Sequence, residues 1–164
     1  MREVIKKILN TAVWAPSGDN SQPWRFEVRD RIIDVFCLPE KDNPIFNYRN
    51  RGTYLANGAL IENIVIAASH EGYATEVKIF PDSANPKHIA QIELTSSDPK
   101  AEPLYNYILK RASNRKFYQK NKTLSLEQKN TLLQASAAFA EVKTVFIEEK
   151  KPCLKLARQS VKMR

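Results

Sequence analysis

Hydrophobic and polar residues alternate along this chain with two distinct periods. Over residues 2–14 the apolar positions Val4, Ile5, Ile8, Leu9, Ala12 and Val13 recur at helical spacing. Pro16 and Gly18 end that helix, so residues 15–22 are expected to be loop. Trp24, Phe26 and Val28 then alternate with Arg25, Glu27 and Arg29, as a strand with one buried face does. Asp30-Arg31 makes a tight turn, and residues 32–38 supply the partner strand of a hairpin. Residues 39–57, with Pro39, Pro44 and many polar groups, are expected to be irregular. Residues 58–72 carry the strongest helical stripe, Leu60, Ile61, Ile64, Ala67 and Ala68, with Gly72 as a natural C-terminal cap. Strands are expected at 75–80 and 89–95, joined by a Pro-Asp-Ser-Ala-Asn-Pro loop, followed by a helix at 102–110. Ser125, with Gln128 three residues on, forms a capping box for a helix to Ala138. A strand at 142–147 and a helix at 151–163 complete the pattern. Helices and strands mix without repeated βαβ units, which predicts an α+β fold with a mixed or antiparallel sheet.

Composition narrows the class. The chain has 164 residues, 43% hydrophobic and 27% charged, as a globular domain does. No apolar run approaches the roughly 20 residues of a membrane span. The first ten residues are charged at short intervals and lack the apolar centre of a signal peptide. The expectation is a cytoplasmic protein with no membrane partner. Cys37 and Cys153 lie far apart and His70 and His88 are isolated, so reduced packing thiols and no metal site are expected.

The net charge of +8 is unevenly distributed: residues 1–109 hold 12 basic and 14 acidic groups, residues 110–164 hold 14 and 4. A basic segment suits nucleic acid, a phosphate-bearing ligand, or a fragment lacking its acidic complement. It has no interleaved aromatic stacking pattern and no nucleic-acid motif, so no nucleic-acid partner is expected.

The segment with chemical potential is Ala15-Pro16-Ser17-Gly18-Asp19-Asn20-Ser21-Gln22-Pro23-Trp24. Two prolines stiffen it, and Ser17, Asp19, Asn20, Ser21 and Gln22 offer donors and acceptors. By composition alone it reads first as an ordinary connection built from Asx turns. The other reading is a site for a planar heteroaromatic ligand with several polar edge groups. Trp24 and Phe26 are expected in the core. Tyr105, Tyr107 and Tyr118 are expected as surface cover, His70 on the surface, and Arg49 and Arg51 in a solvated loop.

Residues 16–26 match the pattern Pro-Ser-x-x-Asn-x-Gln-Pro-Trp-x-Phe at seven positions: Pro16, Ser17, Asn20, Gln22, Pro23, Trp24 and Phe26. This resembles the flavin-contacting loop of the FMN-dependent nitroreductase family. Gly58-Ala59 with Glu62-Asn63, Ala67-Ala68 and Gly72 resembles that family's central helix. Arg111, Ser113, Arg115 and Phe117 resemble its Arg-x-Ser-x-Arg-x-Phe motif, which in the family holds the FMN phosphate and ribityl chain. Forked guanidinium donors and a hydroxyl at that spacing suit a dianion. In the family this motif opens the chain; here it follows the loop by about ninety residues.

The displacement resembles a subgroup in which two nitroreductase-like halves are fused. The resemblance implies a first half at 1–109 and the truncated start of a second at 110–164, hence an incomplete fold. It implies FMN as cofactor, with Pro16, Ser17, Asn20, Gln22, Arg111, Ser113 and Arg115 around it. NAD(P)H would reduce the flavin at N5, and the flavin would reduce a nitroaromatic, quinone or similar acceptor. No protein nucleophile or triad is implied. The chain would pair as a homodimer or with the remainder of a longer chain. The alternative is a non-catalytic flavin-binding or storage module, or an inactive fragment.

Overall fold

The computed structural model describes residues 1–42, 45, 47–99, 102–117, 122–137, 139, 140 and 142–148. The chain divides into two compact units between Ser113 and Asn114. The first contains helix α1 (Arg2–Ala12), strands β1 (Trp24–Arg29) and β2 (Ile32–Cys37), and helix α2 (Arg51–His70). Strands β3 (Tyr73–Ile79) and β4 (His88–Ser96) and a single-turn helix α3 (Tyr105–Ile108) complete it. The strands form one antiparallel sheet in the order β1-β2-β4-β3, so the fold is α+β as expected and the sheet is antiparallel rather than mixed.

Alternation decides which side of the sheet is covered. Ile33, Val35 and Cys37 of β2 and Ala90, Ile92 and Leu94 of β4 point to one face. Ile5, Ile8 and Ala12 of α1 and Leu60, Ile64, Ala67 and Ala68 of α2 close over it. Trp24 belongs to this core, as expected, and Cys37 is a buried packing thiol whose pKa burial pushes up to about 11. Gly72 follows α2 at φ 82, the left-handed geometry that glycine adopts without a Cβ penalty.

Helix α2 starts seven residues earlier than the periodicity predicts. Gly52, Asn57 and Gly58 lower local propensity, but tertiary hydrogen bonds override it. The Asn47 side chain accepts from the Thr53 amide at 3.1 Å and donates to the Thr53 hydroxyl at 2.6 Å. That hydroxyl in turn donates to Asp42. Asn57, inside the helix, donates to the carbonyl of Thr53 at 2.9 Å and to that of Pro23 at 3.2 Å. A residue that reads as a helix breaker therefore ties α2 to the entry of β1.

The outer face of the sheet is polar. The Asp34 side chain is fully buried there, accepting from Arg29 at 2.5 Å and Gln91 at 3.0 Å and pairing with His88 at 2.9 Å. His88 is thus part of a network rather than isolated. Burial works to raise the Asp34 pKa, but the Arg29 and Gln91 hydrogen bonds and the Arg29 and His88 charges outweigh it and hold the carboxyl below its ordinary value. His70 is stacked on Tyr105 with ring centroids 3.6 Å apart, so Tyr105 is more than surface cover.

In the second unit, helix α4 (Leu126–Ala137) opens with the expected capping box. The Ser125 amide donates to Gln128 Oε1 at 2.9 Å, and the Gln128 amide donates to Ser125 Oγ at 3.2 Å. Residues 142–148 do not form the expected strand. They lie against α4 instead, through Thr144 on Ser136 at 2.7 Å and Glu148 on Lys129 at 2.6 Å. The helix at 102–110 shrinks to α3. The expected helix at 151–163, Cys153 and Tyr118 lie outside the described residues.

Two outcomes follow. A folded pKa below the unfolded one means Asp34 stabilises above the ordinary carboxylate pKa, and that contribution fades as pH falls through the lower folded value. Asp34→Asn is therefore expected to destabilise at pH 7, by a margin that narrows as pH falls below the ordinary carboxylate value, measured by urea unfolding across that range. Asp42→Ala removes the acceptor of the buried Thr53 hydroxyl and is expected to cost about 2 kcal/mol. Hydrogen exchange should then quicken together at the amides of Thr53 and Ser21.

Candidate functional site

The loop after α1 is built backbone first. The amides of Trp14 and Ala15 turn back onto the carbonyls of Thr11 and Ala12 at 3.3 and 2.9 Å, and Ala15 is buried. Pro16 stops the helix. Ser17 is extended at φ −141, and a short 3₁₀ turn spans Gly18–Asn20. Asp19, Asn20 and Gln22 all have positive φ, at 47, 57 and 48°. Asp and Asn tolerate this conformation better than most residues. Gln22 is held in it by the hydrogen bond from its amide to Ser17 Oγ at 3.1 Å, against the extended backbone that a following proline favours.

Three anchors fix the loop to the fold. Ser21 Oγ donates to Asp42, the same carboxylate that receives Thr53. The Leu38 amide and the Asn57 side chain both donate to the Pro23 carbonyl, at 2.9 and 3.2 Å. Asp42, Asn47, Thr53 and Asn57 are buried polar residues that the sequence reading missed. No local pattern marks them, because each meets its partner only after the chain folds.

The chain returns to this loop ninety residues later. Helix α3 rests on the end of α2 through Tyr105 and His70, and Arg111 follows with its amide on the Tyr107 carbonyl at 2.9 Å. The Arg111 guanidinium donates to the Trp14 carbonyl at 3.2 Å. Between them lies a cleft of about 490 Å³, lined by Asn20 and Gln22 from the loop and Arg111 and Ser113 from the returning segment. Val13, Trp14, Ala15 and Ala112 complete its wall.

Four of the seven expected site residues, Asn20, Gln22, Arg111 and Ser113, thus share one cleft. Pro16 and Ser17 shape the loop; the Ser17 hydroxyl oxygen is engaged by the Gln22 amide. Arg115 falls in the second unit. The volume suits a small-molecule ligand. The lining offers two amide side chains, a guanidinium and a hydroxyl, a donor set that fits a ring with polar edges carrying a phosphate. FMN fits that description. Among the described residues its lining contains no carboxylate, imidazole or thiol. Among the described residues no group of three His, Cys, Asp or Glu side chains converges on a metal site, and no helix is long and apolar enough to cross a membrane.

No protein-family model matches the chain. Among solved structures, it is similar to a Desulfovibrio desulfuricans protein described as a "putative nitroreductase in complex with FMN". The two share 21% identity over 76% of this chain and 87% of that one, with a TM-score of 0.47. Among curated proteins, it is 32% identical over 98 residues to the "Putative NAD(P)H nitroreductase acg" of Mycobacterium tuberculosis, covering 58% of this chain and 29% of that protein. A second M. tuberculosis protein of the same description is 31% identical over 90 residues, covering 55% of this chain and 26% of that protein. The chain therefore spans under a third of the length of these relatives. Over these 90 to 98 residues the chain is thus similar to proteins described as putative NAD(P)H nitroreductases.

Proposed function

We propose that this chain holds FMN in the cleft between its loop and the Arg111 segment, and serves an NAD(P)H-dependent oxidoreductase of nitroreductase type. One observation carries the reading. Asn20 and Gln22 share a single cleft with Arg111 and Ser113, residues about ninety positions away in sequence. A fused two-half chain would supply the loop from its first half and the phosphate residues from its second.

Each residue then has a definite task. Arg111 gives the phosphate a charge-assisted, forked set of donors, and Ser113 adds a hydroxyl. Asn20 and Gln22 present amide groups to the polar edge of the ring. The positive φ values at Asn20 and Gln22 set the directions in which those side chains leave the backbone. Pro16 and Ser17 keep the loop in that shape before a ligand arrives, so less entropy is lost on binding. When bound, FMN supplies hydride transfer at N5, from NAD(P)H to a nitroaromatic, quinone or similar small acceptor. The chain's part is to bind, orient and stabilise charge, tasks for which the amide, guanidinium and hydroxyl groups of the lining suffice.

The test is a flavin titration of the purified protein. It is expected to be yellow as isolated, or to quench added FMN fluorescence. Arg111→Ala is expected to weaken FMN about tenfold or more, the scale of one charged hydrogen bond, while riboflavin, which lacks the phosphate, changes little. A colourless protein that ignores FMN sinks the reading. Bound FMN without NAD(P)H oxidation supports the flavin-holding alternative.

A further inference from the structure

The cleft contains an aromatic side chain that belongs to none of the matched motif positions. Trp14 stands two residues before Pro16, outside the Pro-Ser pattern, and lines the cleft beside Asn20, Gln22 and Arg111. It is 52% exposed, whereas the chain's other tryptophan, Trp24, is 6% exposed. What distinguishes this indole is its position: an open aromatic face set among the polar groups of a cleft is placed to meet a flat ligand.

Its backbone, by contrast, is well secured. The Trp14 amide bonds to the Thr11 carbonyl at 3.3 Å, and its own carbonyl receives Arg111 at 3.2 Å. Ala15, the next residue, is buried. The main chain is fixed at both peptide groups while the ring stays open to solvent. That combination suits a stacking platform: little backbone order remains to be lost when a flat ligand covers the ring. Among the described residues, the same cleft holds a cation in Arg111 and no carboxylate. Its complement is a planar aromatic ring carrying an anionic group.

We propose that Trp14 is a ring-contacting residue of this cleft, its indole stacking on the planar aromatic part of an anionic ligand, and so a determinant of which ligands the site accepts. This extends the flavin reading, on which it rests for the ligand's identity. Arg111 and Ser113 select the anion, and Trp14 selects the ring. The two selections act on different parts of one molecule and separate experimentally.

The two-tryptophan composition makes the test direct. Iodide is expected to quench Trp14 in the ligand-free protein and spare Trp24. FMN should protect Trp14 from iodide. In equilibrium dialysis, Trp14→Leu is expected to weaken FMN and riboflavin by similar factors of roughly ten, the scale of a lost aromatic pair. Trp14→Phe should recover most of that. Equal factors for the two flavins place the effect on the ring, since riboflavin has no phosphate. Unchanged affinities in Trp14→Leu, or a loss confined to FMN, overturn the assignment while leaving flavin binding intact. An indole already shielded from iodide before ligand is added overturns it too. If wild type binds no flavin, the arms with NADPH and p-nitrobenzoate decide. Protection of Trp14 by either supports the stacking role and ends the flavin reading, and protection by none of the probes overturns both.

Discussion

The carboxylate of Asp42 joins two parts of the chain that sequence keeps apart. One oxygen receives Ser21 from the cleft loop, 21 residues back, and the other receives Thr53 from the first turn of α2, 11 residues on. A buried carboxylate is tolerable only while its oxygens are satisfied, so the loop and the helix must both be in place for either contact to be favourable. Pro23 repeats the arrangement with roles reversed: its carbonyl receives Leu38 and Asn57. The loop's three positive φ values are held by this ring of bonds. The cleft is thus a product of the core's own polar framework.

Much of this was legible because the relevant signals are local. The capping box needs only Ser125 and Gln128, three residues apart, and both of its hydrogen bonds form. The β1-β2 hairpin needs only alternation and a two-residue turn. The Pro-Ser loop pattern names Asn20 and Gln22 from eleven consecutive residues. Where the reading went wrong, the missing information was tertiary. Asn57 and Gly58 depress helix propensity wherever they occur, and only the fold supplies the Pro23 carbonyl that makes Asn57 useful. Residues 142–147 are rich in β-branched and aromatic residues, as a strand is, but such residues serve equally in a segment packed on α4 through Thr144.

The charge asymmetry takes on a different meaning once positions are known. Of the 14 basic residues beyond position 109, Arg111 is the one among those lining the cleft that carries a full charge within reach of Trp14. Lys129 is engaged within its own unit by Glu148. Net charge is therefore a poor guide here. In the proposed reading, recognition rests on one guanidinium anchored on a backbone carbonyl, in a cleft with no carboxylate among its described lining residues.

The strand order has a consequence for how the molecule assembles. In the sequence β1-β2-β4-β3, each outer pair is a hairpin between neighbours in the chain, while the central β2–β4 seam joins segments separated by all of α2. Closing that long loop is the entropically demanding step, and non-local pairing of this kind slows folding. Two hairpins and a helix can form early and still lack a core until the seam closes. The Asn57–Pro23 strap spans 34 residues and ties α2 to the entry of β1. A nascent chain that has made both hairpins still lacks the returning Arg111 segment's contact with Trp14, and so has no cleft.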